Sequence, residues 1–103
     1  MSTINVSFGE RLRLIRNSQK LTLRKMATIL DIDQSTLSKL ERNQRKASDE
    51  FIEKVSTQFK IDPTELKVCA LSDQILTQIL RNKHSKEVFN ALSNKLANAV
   101  NNG

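Results

Sequence analysis

Residues 22–43 read TLRKMATILDIDQSTLSKLERN, from Thr22 to Asn43, and this stretch decides the fold. Met26, Ala27 and Leu30 recur at helical spacing behind Thr22, whose hydroxyl can accept from the exposed amides of a first turn. A second helical pattern follows after only Asp31, Ile32 and Asp33. There Asp33 is expected to cap the amides of Ser35 or Thr36, with Ile32 stapled onto Leu37. Leu37 and Leu40 form the buried stripe of this second helix.

That arrangement is the outline of a helix-turn-helix, whose second helix enters the DNA major groove by its N-terminus. Here the second helix turns Gln34, Ser35, Thr36, Ser38 and Lys39 outward. An ordinary solvated face favours Glu and Lys pairs, whereas this one carries amides and hydroxyls. Gln can pair bidentately with adenine, Lys can donate to guanine, and Ser and Thr adapt to either base, the Thr methyl also suiting a thymine methyl. Short polar residues also serve merely to solvate a helix. Their position decides between the two readings, because the first turns are those that reach deepest into a groove.

The charge distribution points the same way. Residues 1–46 hold ten Lys or Arg against four Asp or Glu, a net of +6, while residues 47–103 hold seven of each. The whole excess of positive charge lies in the part that carries the helical pair, as an electrostatic footprint for phosphate would. Arg42, Arg45 and Lys46 stand just after the second helix, placed to grip a backbone.

At 103 residues the chain is one domain, or a small domain with an appendage, and too short for a large enzyme cleft. No apolar run would span a bilayer and no charged-then-apolar leader is present, so a soluble cytoplasmic protein without membrane contact is expected. The single Cys69 excludes an internal disulfide and, among Val68, Ala70 and Leu71, reads as a buried thiol. His84 stands in a turn with no partner at ligand spacing, so no metal is expected. Nucleophile–base constellations and phosphate-cradling glycine loops are lacking as well. No enzyme, cofactor or small-molecule ligand is expected.

Two Gly, one Pro and no strand-like alternation make the fold class all-α. Helix 1 is expected from Ser7, in a capping box with Glu10, to near Gln19, burying Phe8, Leu12 and Ile15. Helix 4 starts at Ser48 and buries Ile52, Val55 and Phe59, with Phe51 beside that face. Helix 5 has Asp62 as cap, Pro63 at the first helical position, Glu65 completing a box, and Ile61 stapled to Leu66. It continues or restarts through Leu71, Ile75, Leu76, Ile79 and Leu80. Asn82 to His84 break the pattern, and Ser85 caps a last helix with Val88, Phe89, Leu92, Leu96 and Val100 inward. Asn98 to Gly103 are expected to fray.

From Phe8 to Leu66 the segments FGERLRLIR, LTLRKMATIL, STLSKLERN and QFKIDPTEL resemble, in order and spacing, the lambda-repressor-like, Cro and C1 type DNA-binding domain of XRE-family regulators. The resemblance implies a five-helix domain over residues 1–67. It also implies that Gln34, Ser35, Thr36 and Lys39 contact bases. Thr22 and Leu23, with Arg42, Asn43 and Arg45, match phosphate-contacting positions, and Lys46 extends that cluster. Arg16 and Glu41 match a pair that forms a salt bridge between helices 1 and 3. The chain departs from the pattern at Leu23, where Gln is common, so only the backbone amide can serve there. Asp31 and Asn43 replace glycines, both being residues that tolerate a left-handed backbone, and Ala47 replaces a common proline.

Residues 68–103 form a C-terminal extension of one or two helices whose apolar surplus needs cover, so dimerisation is assigned to them. The function expected is a bacterial or phage-derived, nucleoid-associated, sequence-specific transcriptional regulator, a repressor or a restriction-modification or phage-type controller, acting as a homodimer on double-stranded DNA at a pseudo-palindromic operator. The rival is a protein-binding helical module on the same scaffold, an antitoxin, co-activator bridge or anti-regulator. An acidic or apolar outer face on the second helix would mark the rival.

Overall fold

The computed structural model describes residues 6–102 and places six helices along them: α1 Phe8–Ser18, α2 Leu23–Leu30, α3 Gln34–Glu41, α4 Asp49–Phe59, α5 Pro63–Leu80 and α6 Ser85–Asn102. Among the described residues all regular structure is helical, and no helix is long and apolar enough to cross a membrane. Three helices start on hydroxyl caps. Ser7 accepts from the Glu10 amide, Thr22 from the Lys25 amide and Ser48 from the Phe51 amide, each at 3.1 Å. Asp62 accepts from the Thr64 amide at 3.0 Å, with Pro63 opening α5. Asp33 departs from expectation. It occupies the cap position of α3, but its carboxylate makes no cap hydrogen bond. The side chain is exposed, so water satisfies it. The helix start is instead held by Ile32 and Leu37, which pack into the core.

Four residues other than glycine take a left-handed backbone: Lys20, Asp31, Asn43 and Lys60, with φ between 55° and 59°. Each is followed by a residue whose amide donates back to the last turn: Leu21 to Arg16, Ile32 to Ala27, Gln44 to Lys39 and Ile61 to Ser56. This is the Schellman closure of a helix, which satisfies an orphan carbonyl. Leu21, Ile32 and Ile61 also pack against the core. That burial offsets the roughly 1–2 kcal/mol that a side chain costs in this conformation.

The chain forms two compact units, divided between Asp73 and Gln74, inside α5. The first unit holds the whole buried core: Phe8, Leu12 and Ile15 of α1, Met26, Ala27 and Leu30 of α2, Leu37 and Leu40 of α3, Phe51, Ile52 and Val55 of α4, and Leu66 and Ala70 of α5, with Ala47 between α3 and α4. Phe51, expected beside the core, lies in it because its ring meets Phe8 edge-on at 6.5 Å, while Phe59 is only half-buried. Cys69 is half-buried too, 3.6 Å from the Val6 carbonyl, and burial raises its thiol above the ordinary range.

In the second unit the α5 to α6 turn is closed by Asn82, whose side-chain oxygen accepts from the His84 amide at 2.8 Å. The helix that follows runs through Asn102 and does not fray from Asn98, since no Gly or Pro interrupts it; Gly103 lies outside the described residues. Its apolar residues, expected inward, are exposed in the single chain.

The start of α1 ties three elements together. The Phe8 amide donates to the Asp73 carboxylate of α5 at 2.6 Å, the Gly9 amide to the Asn43 side-chain oxygen at 2.9 Å, and the Glu10 amide to Ser7. These are amides without intrahelical partners, so each acceptor removes a desolvation penalty. Asp73→Ala is therefore expected to lower stability by about 1–3 kcal/mol in urea unfolding, and Asp73→Asn, which keeps an acceptor, by less. Equal stability of wild type and Asp73→Ala would show that the Phe8 amide draws nothing from Asp73.

Candidate nucleic-acid interface

The interface is built outward from one ion pair. Arg16 of α1 donates from Nε and Nη2 to the two oxygens of Glu41 at 2.9 and 3.0 Å, a bidentate fork. Its Nη1 reaches the Leu21 carbonyl at 3.2 Å. One side chain thus fixes the last residue of α3 and the approach to α2. The Glu41 side chain is 3% exposed and that of Arg16 18%. The hydrogen bond to Glu41 raises the guanidinium above its ordinary pKa. Arg13, which sequence reasoning passed over, adds a second positive charge 3.7 Å from Glu41. Its spacing of three from Arg16 puts both on one face of α1 and was the available signal.

Helices α1 and α3 approach so closely that Gly9 is required. A Cβ at this position would collide with the Glu41 carbonyl and lie 2.7 Å from the Asn43 side-chain oxygen. Asn43, beside it, is locked on both sides: its oxygen accepts from Gly9 and its Nδ2 donates to Ser7 at 3.0 Å. The side chain expected to touch phosphate thus anchors the loop after α3 to α1. Neither Gly9 nor this use of Asn43 was visible in the sequence, because both depend on a neighbour far along the chain.

On this frame α3 presents Gln34, Ser35 and Lys39 exposed and Thr36 and Ser38 half-buried, with Leu37 and Leu40 beneath. A cleft of about 190 Å³ is lined by Thr36, Ser48, Glu50 and the cations Arg45, Lys46 and Lys54, together with the apolar Ile32, Leu40 and Phe51. The cations after α3 therefore stand beside its polar face. Arg42 rests on α3 through Nε to the Ser38 carbonyl at 3.3 Å. At the start of α2, Thr22 uses an oxygen lone pair as a cap, which leaves its hydroxyl hydrogen to donate. Leu23 packs its side chain against the core. Core packing is the physical reason for an apolar residue here, where the resemblance leads one to expect Gln. His84 is exposed, and no cluster among the described residues could hold a metal ion.

A polar helix face flanked by cations on a helical pair defines a class, and the comparisons agree. A helix-turn-helix family model matches residues 12–66, and the chain belongs to that family, in its XRE-type, lambda-repressor-like form. It is a DNA-binding transcriptional regulator by class. Among solved structures, the chain is similar to the restriction-modification controller protein C.AhdI from Aeromonas hydrophila, at 37% identity and a TM-score of 0.54. That match covers 57% of this chain and 89% of the controller. No curated protein sequence matches the chain.

Removing Glu41 leaves the half-buried Arg16 guanidinium without its carboxylate. Glu41→Ala is expected to cost about 3–5 kcal/mol in denaturant unfolding, a large part of a domain stability of about 5–15. The double variant Arg16→Met, Glu41→Leu should be more stable than the worse single one. Strictly additive losses would show that the two groups do not interact.

Proposed function

We propose that the protein reads a specific double-stranded DNA sequence as a homodimer and represses transcription by covering a promoter. The observation that carries this reading is the cleft that sets Thr36 of α3 beside Arg45 and Lys46, with Gln34, Ser35 and Lys39 exposed on the same helix. A groove-reading helix needs such a neighbourhood, with base-edge groups in front and phosphate-binding cations at the flank.

In this reading Gln34 pairs with adenine, Lys39 donates to guanine, and Ser35 and Thr36 take the adjoining bases, the Thr36 methyl meeting a thymine. Thr22 donates its hydroxyl, and Leu23 its amide, to a phosphate at the positive end of α2. Arg42, Arg45 and Lys46 grip the next stretch of backbone, with Asn43 holding their loop in place. Two copies would present their α3 helices about one helical turn apart, roughly 34 Å, so the operator is pseudo-palindromic. The similarity to a restriction-modification controller supports a regulatory role of that kind. No cofactor enters this mechanism.

Selection from random duplex DNA should enrich a two-fold symmetric motif. Against matched and singly altered sites, Gln34→Ala and Lys39→Ala should each relax preference at one base pair per half-site by ~1–3 kcal/mol. Arg45→Ala should weaken all sites alike and lower the salt slope by about one unit. Unchanged preference in both α3 variants would remove α3 from base reading.

A further inference from the structure

From residues 74–102 the structure assigns an interaction surface whose occupant is the same unit of a second copy. The inference rests on the dimeric reading above and names the surface that makes the dimer. Among the residues of this unit whose burial is described, none is buried. On α6 the residues Val88, Phe89, Leu92, Leu96 and Val100 fall on one stripe by helical spacing. Glu87, Asn90, Asn94, Asn98 and Asn101 fall on the opposite face. A helix so divided is built to bury one side.

Ile75, Leu76 and Leu80, at the end of α5, bring the unit's exposed large apolar residues to eight, each between 37% and 70% exposed. Together they leave on the order of 800 Å² in solvent, about what one partner buries in a standard protein interface. Such a patch is at or beyond the largest that a soluble monomer ordinarily shows.

The chemistry selects a second copy over a partner of other character. Within residues 88–100 the only charged side chain is Lys95. The remaining charges of the unit, Arg81, Lys83, Lys86 and Glu87, gather in or beside the turn. A patch apolar at its centre, with charge kept to one end, has the composition of a homodimer interface, which is isologous and needs no opposite charge across it. The stripe fits the same stripe on another chain. The controller match leaves over two fifths of this chain without a counterpart, whereas the controller itself is nearly all covered.

The full-length protein tests this directly. Sedimentation equilibrium at tens of micromolar should give the mass of a dimer, and Leu92→Glu with Leu96→Glu should give a monomer. Asn94→Glu, on the opposite face of α6, should remain dimeric. The unfolding transition of the Val6–Asp73 unit should be the same in all three, which separates loss of assembly from loss of fold. On a duplex with two half-sites the monomeric variant should bind at least about a hundredfold more weakly than wild type, and on a single half-site equally well, since only the tether is lost. A monomeric wild-type chain, or a dimer untouched by the α6 pair of substitutions, overturns the assignment. A dimer that breaks as expected but binds no DNA sustains this surface and instead sinks the DNA-reading function.

Discussion

The fork between Arg16 and Glu41 is the interaction on which the first unit depends, because a carboxylate that deep cannot be left without a cation. It joins the two ends of the helical pair: Glu41 closes α3, and the third arm of Arg16 holds the Leu21 carbonyl just before α2 begins. Helix α1 thereby becomes the bar that α2 and α3 are measured against. Gly9 permits the close approach, and the side chain of Asn43 carries it on to the loop with Arg42 and Arg45. The polar face of α3 is thus set by paired groups, most of them buried or half-buried, that need never touch nucleic acid.

A division of labour follows between rigid support and adaptable contact. The groups assigned to bases and phosphates are mostly exposed, and long or hydroxylic. Those that place them are locked and paired. Asn43 belongs with the second set, although it sits among cations of the first. At the start of α1, three successive amides find acceptors on three different segments, one of them Asp73, the last residue of the first unit. The point where the core ends is therefore fastened to the same helix that carries Arg16.

The second unit follows a different physical rule. The first unit buries a core of its own, while α6 keeps an amphipathic division with no buried residue among those described beneath it. A two-helix unit has too little interior to shelter such side chains, which is why a second copy is proposed to cover them. In the proposed dimer, two short helices bound through one tether would gain affinity from their joint concentration, without further contacts to DNA.

The sequence by itself determined the helices, their caps at Ser7, Thr22 and Ser48, the helical pair at residues 22–43, and the left-handed residues Asp31 and Asn43. Each of these is local, written in residue type and spacing over a turn or two. The charge asymmetry was equally legible, since it needs only counting. Tertiary structure alone decided the rest. The left-handed Lys20 and Lys60 carry no signal in their own residue type, and they follow from the need to bury Leu21 and Ile61 just after them. The Asp33 carboxylate left its cap unmade, because an exposed acid is satisfied by water and the packing of Ile32 and Leu37 already fixes the helix start. Gly9 and the double use of Asn43 became visible only when residues more than twenty-five positions apart met. Local rules specify which helices form; the meeting of distant side chains specifies which groups remain free to act.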